Sequence, residues 1–220
     1  FTSGAAESHC LIVSVRTDPA ASKHRGISVF LVDPRTPGIT SRRIEKLGMR
    51  AAGTLCEVHY DDVRVPRSAL LGAENEGWRV ITSTLERARV AQAAYCVGAA
   101  QRTIDDAIEH VASVGAGSAR DYGDMLADSQ LRIDAARLLL HRAASLIDDG
   151  VACVREASIA NLHATETLVT ATSEAMRVWG PRGATRAQVV ERTLRDARLF
   201  IIGDGSSQIQ RNLIARQMGL

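Results

Sequence analysis

Hydrophobic and polar positions along the chain follow two different periods. Up to about residue 70 the apolar residues fall in short runs rich in Val, Ile and aromatic side chains: HCLIVSV at 9–15, GISVFLV at 26–32 and CEVHYDDVRV at 56–65. Runs of that length predict strands, and the Pro, Gly, Asp and Ser of the intervening RTDPAASKHR and DPRTPG predict turns and loops. From about Glu74 the period lengthens. Trp78, Ile81, Leu85, Val90, Ala94, Val97, Gln101, Ile104, Ile108 and Val111 recur at spacings close to three and four, which predicts one long helix. At 1.5 Å per residue such a helix spans about 55 Å, so other long helices are expected beside it.

Further helices are predicted over 122–149, 154–178, 188–200 and 207–217. GAGS and DDG make the first two breaks, and WGPRG makes the third, where Pro181 removes a donor and its flanking glycines stop the helix. The predicted class is α+β: a partial β-barrel or sandwich domain over residues 1–70, followed by an up-down four-helix bundle over 71–220.

Composition bounds the function. With 220 residues, 45% of them hydrophobic, the chain can bury a core. The net charge is only +2 and Lys23 and Lys46 are the only lysines. Acids interleave with the arginines throughout, so no basic stripe for nucleic acid emerges. No apolar run is long enough to span a membrane and no leader precedes a cleavage site, so a soluble, cytoplasmic protein is expected. The start at Phe1, with strand-like text from Thr2, reads as part of a longer polypeptide. Cys10, Cys56, Cys96 and Cys153 are widely spaced without a Cys-x-x-Cys pair, which predicts buried free thiols.

Familiar catalytic patterns are absent: no Gly-x-Ser-x-Gly, His-Glu-x-x-His, Walker loop or Gly-x-Gly-x-x-Gly. The six histidines lack metal-ligand spacing, so no metal site is expected. One carboxylate stands out. Asp204 lies between Gly203 and Gly205, directly after the apolar run LFII. Asp-Gly also marks ordinary turns, so the motif alone leaves a turn and a catalytic acid both open.

The ordered set GISVFLVDPRTPGI, KLGMRAAGTLCEVHYDDVRVP, LLG, EGW, AARLLLHRA, VERTLRDAR and GSSQIQR resembles the acyl-CoA dehydrogenase family over nearly the whole chain. The resemblance implies the later part of a middle β-domain followed by a C-terminal helical bundle, with an N-terminal helical domain and the first flavin-binding strand upstream. It implies FAD as cofactor, an acyl-CoA thioester as substrate, a separate electron-transfer acceptor and a homo-oligomer, a dimer or tetramer. The activity implied is α,β-desaturation: a carboxylate removes the α-proton while the β-hydride passes to FAD.

By the same resemblance Asp204 occupies the catalytic-base address, although most relatives carry Glu there. Some relatives place the base on the first long helix, and here that position is Ala88, with Glu86 two residues earlier as the nearby acid. Glu86 and Arg89 match the segment that meets the CoA side of the pocket. On residues alone, a Glu and an Arg three apart read as a solvated helix pair. Thr2 and Ser206 match hydroxyl positions near the flavin. Arg177 and Gly180, in RVWGP, stand where relatives hold the flavin diphosphate. A segment Arg-x-x-Phe-Gly that reaches a neighbouring subunit's FAD in relatives is missing from VASVGAGSARDYGD at 111–124. Two alternatives stay open: a non-catalytic scaffold subunit of a mixed oligomer, and a flavoprotein of this fold with a different reaction.

Overall fold

The computed structural model describes residues 1–220, the side chains of residues 116–119 apart. The chain divides into two compact units, Phe1–Thr84 and Leu85–Leu220.

The first unit holds two three-stranded antiparallel sheets. One has the order β1 (Thr2–Ser3), β5 (Leu55–Tyr60), β4 (Ile39–Ile44), and the other β2 (Leu11–Arg16), β3 (Ile27–Val32), β6 (Leu70–Leu71). β2 and β3 pair along their whole length, from Leu11 opposite Val32 to Arg16 opposite Ile27. The barrel or sandwich expected from sequence therefore appears as two small sheets, with no closed barrel among the described residues. The expected strand over 56–65 ends at Tyr60, and Asp62 at φ 42° turns the chain away from extended geometry. Ala5, Leu11 and Cys56 form the buried centre of this unit, with Val13, Ile39 and Val58 packed on them.

A polar knot ties β3 to the segment preceding the helices. Thr17 Oγ1 lies 2.7 Å from Ser28 Oγ and donates to Asn75 Oδ1 at 2.6 Å, while Asn75 N donates to Ser28 Oγ at 2.8 Å. Ser28 is fully buried, so these bonds offset the cost of hiding its hydroxyl. The knot brings Gly77 against the backbone of Ser28, where a Cβ would lie 2.8 Å from its carbonyl carbon. Only glycine fits this close approach.

The second unit is helical. α1 runs Gly77–Val114, α2 Ala116–Asp148, α3 Val154–Trp179, α4 Val189–Phe200 and α5 Ser207–Gln217, with a 3-10 turn over Gly180–Ala184. The bundle thus consists of three long helices and two short ones. α3 packs along α2 and carries α4 and α5 as well. Its buried face is built almost wholly of small residues, including Ala157, Ala160, Ala164, Ala171 and Ala175, which lets neighbouring backbones approach closely.

The core stripe of α1 departs from the one read in sequence. Ala93, Cys96, Val97, Ala100, Ile104, Ala107 and Val111 are buried, whereas Ala94 and Ile108 face solvent. α2 starts six residues earlier than expected, at Ala116, and the GAGS break shrinks to Gly115 at φ 106°. Cys10 is exposed, against the expectation that all four thiols are buried.

Because Ala164 of α3 is fully buried in this tight centre, Ala164→Leu should lower unfolding stability by about 1–3 kcal/mol through overpacking. Urea denaturation followed by circular dichroism measures it, and an unchanged midpoint contradicts the close packing.

Candidate active site

The turn between α4 and α5 carries Asp204. It closes on itself through Gly203 N donating to Leu199 O at 2.8 Å and Ser207 N donating to Ile201 O at 3.1 Å. Ser206 caps α5, its Oγ accepting from Ile209 N at 3.4 Å. Asp204 sits at φ 51° and Gly205 at φ 102°. The first is a left-handed conformation that Asp tolerates better than most residues, and the second belongs to glycine.

Two buried glutamines hold this turn from opposite elements. Gln92 of α1, 8% exposed, donates through Nε2 to Phe200 O at 2.6 Å and to Gly203 O at 3.4 Å. Gln210 of α5, 0% exposed, donates through Nε2 to Asp204 O at 3.1 Å and Gly205 O at 3.0 Å. The Asp204 side chain itself is exposed and makes no hydrogen bond or ion pair among the described residues.

Arg89 lies one turn before Gln92 on α1 and is only 6% exposed. Its Nε has no hydrogen-bond partner in the described structure, and its backbone carbonyl accepts from Asn161 Nδ2 of α3 at 3.3 Å. Burial pulls the Arg89 pKa below the usual guanidinium range, and the charges of Glu86 and Asp204 pull it back up. A buried cation and an exposed carboxylate therefore share one electrostatic neighbourhood. This overturns the solvated pair that the spacing of Glu86 and Arg89 alone implied.

Glu86 is turned elsewhere. Its Oε2 accepts from Cys153 N at 3.3 Å and from Cys153 Sγ at 3.5 Å, which places a carboxylate at the N-terminus of α3, where the helix dipole favours it. Burial, and next the hydrogen bond to Glu86, push the Cys153 thiol up to about 11.

The structure thus brings Asp204, Arg89 and Glu86 into one region of the second unit, with Ser206 two residues beyond Asp204. Arg177 and Gly180 lie apart from them at the C-terminus of α3. Arg177 is exposed without an ion pair among the described residues, and Gly180 ends the helix at φ 54°. Thr2 belongs to the first unit, half-buried opposite Cys56. Of the stretch 111–124, the side chains of residues 116–119 lie outside the described residues. Sequence reasoning missed Gln92 and Gln210. The available signal was a lone amide in the otherwise apolar AQAA, and a second in SQIQR.

Among the described residues no cluster of His, Cys, Asp and Glu could hold a metal, and no helix is long and apolar enough to cross a membrane. A cleft of about 550 Å³ runs between α1 and α4, lined in part by Tyr95, His110, Trp179 and Arg192, with the His110 and Trp179 rings stacked at 4.1 Å. None of the residues singled out in sequence lines it.

Residues 1–63 match the family model described as acyl-CoA dehydrogenase, middle domain, and residues 75–219 match acyl-CoA dehydrogenase, C-terminal domain. The chain belongs to the acyl-CoA dehydrogenase family. It is 35% identical over 215 residues to the short-chain specific acyl-CoA dehydrogenase of Bos taurus, covering 95% of this chain and 52% of that protein. It is 36% identical over 204 residues to the cyclohexane-1-carbonyl-CoA dehydrogenase of Geobacter metallireducens, covering 88% and 52%. A solved glutaryl-coenzyme A dehydrogenase in complex with glutaryl-CoA superposes with a TM-score of 0.90 at 33% identity, over 99% of this chain and 56% of the other. The chain therefore spans about half the length of these acyl-CoA dehydrogenase relatives.

The thiols supply a test of the packing around Glu86. Burial raises Cys96 to about 12 as well, and the thiolate is the reactive form. A thiol reagent at pH 8 should therefore modify Cys10 first and reach Cys96 and Cys153 only after denaturation. Labelling of Cys153 as fast as Cys10, read by peptide mass spectrometry, contradicts its burial and its contact with Glu86.

Proposed function

We propose that this chain supplies the middle and C-terminal portions of an FAD-dependent acyl-CoA dehydrogenase-type oxidoreductase that desaturates an acyl-CoA thioester, with Asp204 as the base. The observation that carries this reading is an exposed, unpaired carboxylate on a rigidly held turn within electrostatic reach of the buried Arg89. The names of the relatives, all dehydrogenases of acyl-CoA thioesters, point the same way.

In the proposed reaction the Asp204 carboxylate accepts the α-proton as the α C–H bond breaks. FAD, when bound, supplies the hydride acceptor for the β-carbon. Arg89 contributes a fixed positive charge beside the base, and with Glu86 it forms part of the thioester-binding wall.

Four of the chain's residues fit a role toward the flavin. Arg177, exposed and free of ion pairs among the described residues, suits a diphosphate, because a guanidinium forks onto phosphate oxygens. Gly180 leaves space beside it, since nothing lies within 4 Å of where its Cβ would stand. The Ser206 hydroxyl, whose oxygen already caps α5, keeps its proton to donate. Thr2 offers a second hydroxyl.

The reading includes a homo-oligomer, a dimer or tetramer, with an electron-transfer acceptor as partner. Leu131 and Leu138, one heptad apart on α2, are 68% and 72% exposed, an apolar surface that a second copy covers. Light scattering should give the mass of a multimer at micromolar concentration, and a monodisperse monomer contradicts it.

Asp204→Asn keeps the size and the turn but removes the proton acceptor. In the flavin-loaded protein it should bind acyl-CoA while losing flavin bleaching by a factor of about a hundred or more. Asp204→Glu extends the carboxylate by one methylene, about 1.5 Å, and should raise the rate or shift preference among acyl groups. Stopped-flow absorbance reads both. Parental bleaching by Asp204→Asn places the base elsewhere.

A further inference from the structure

The geometry points to Gln92 and Gln210 as positioning residues that set the reach of Asp204, an inference that rests on the proposed role of Asp204 as base. Four carbonyls around the acid are gripped from two helices: Phe200 O and Gly203 O by Gln92 of α1, Asp204 O and Gly205 O by Gln210 of α5. The grips fall on both sides of the Asp204 side chain and leave that side chain without a partner of its own among the described residues.

Gln210 contributes little else. It is fully buried, its Oε1 has no hydrogen-bond partner in the described structure, and Gly205 packs so closely that a Cβ there would lie 2.7 Å from Gln210 Nε2. The amide is therefore oriented for donation to the turn, at the cost of an unsatisfied acceptor. Gln92 is placed on the same helix face as Arg89, one turn on, so the helix that carries the buried cation also holds the carbonyl preceding the acid.

The consequence for chemistry follows from side-chain length. With the backbone of 203–205 pinned and Asp204 held at φ 51°, the carboxylate can move only about χ1 and χ2. Aspartate spans one methylene less than glutamate, so a looser turn cannot be offset by a longer side chain. A displacement of about 1 Å costs on the order of a hundredfold in rate.

Gln92→Met and Gln210→Met keep approximate length and volume while removing the donor. In the flavin-loaded protein each should slow flavin reduction by acyl-CoA at least about tenfold, with the acyl-CoA dissociation constant within about twofold of the parent. Amide hydrogen exchange of the peptide covering 201–207 should quicken about tenfold, while peptides from α2 and α3 keep their protection. Gln92 is the less buried of the two, 8% against 0% exposed, so Gln92→Met carries the test should Gln210→Met fail to fold. Unchanged exchange in 201–207, or a loosened turn with parental reduction rate, overturns the inference. So does a rate loss matched by an equal loss of binding, which marks a general structural defect. Asp204→Asn run in parallel separates the two claims. If it reduces flavin at the parental rate, the base reading falls and the positioning role falls with it. If it is inactive while both Met variants keep the parental rate, the base reading stands and the positioning role falls.

Discussion

Carbonyl groups at a tight turn must find donors, and around Asp204 they find them in two buried side-chain amides. Leaving one such carbonyl unpaired costs about 1–3 kcal/mol, so Gln92 and Gln210 constrain the path of the chain between α4 and α5. The rest of the second unit serves this arrangement. α1 must lie close enough for Gln92 to reach Phe200 O, and α3 holds α1 through Asn161 and carries α4 and α5 on its small-residue face. The left-handed Asp204 persists because the surrounding bonds over-determine it.

Burying Arg89 and exposing Asp204 divides two roles between one helix and one turn. The guanidinium is withdrawn from water and cannot leave, while the carboxylate stays accessible. Glu86, the other acid on this stretch of α1, is occupied at the N-terminus of α3 by Cys153. That occupation leaves Asp204 as the exposed acid of this neighbourhood. The family membership, shown across 1–63 and 75–219, agrees with this geometry without supplying it.

Much of the fold was legible because periodicity reports hydrophobic faces. α3, α4 and α5 lie within a residue or two of their expected bounds. The α1 stripe was misplaced since alanines weigh little in such a pattern, yet Ala93, Ala100 and Ala107 are fully buried. The GAGS break misled in the other direction: a glycine inside a helix costs about 1 kcal/mol, too little to delay α2, which begins at Ala116. At the site, Asp204 announced itself through its flanking glycines. The burial of Arg89 and the grip of Gln92 depend on contacts separated by as many as 111 residues, which local patterns do not encode, whereas Gln210 reaches back only five and six residues.

The central claim is that Asp204 takes a proton from the α-carbon of an acyl-CoA thioester. Deuterium incorporation at that carbon in D₂O, followed by NMR on the flavin-loaded protein, reads this step apart from hydride transfer. The account predicts exchange in the parent and its loss in Asp204→Asn. Equal incorporation by both proteins would contradict it.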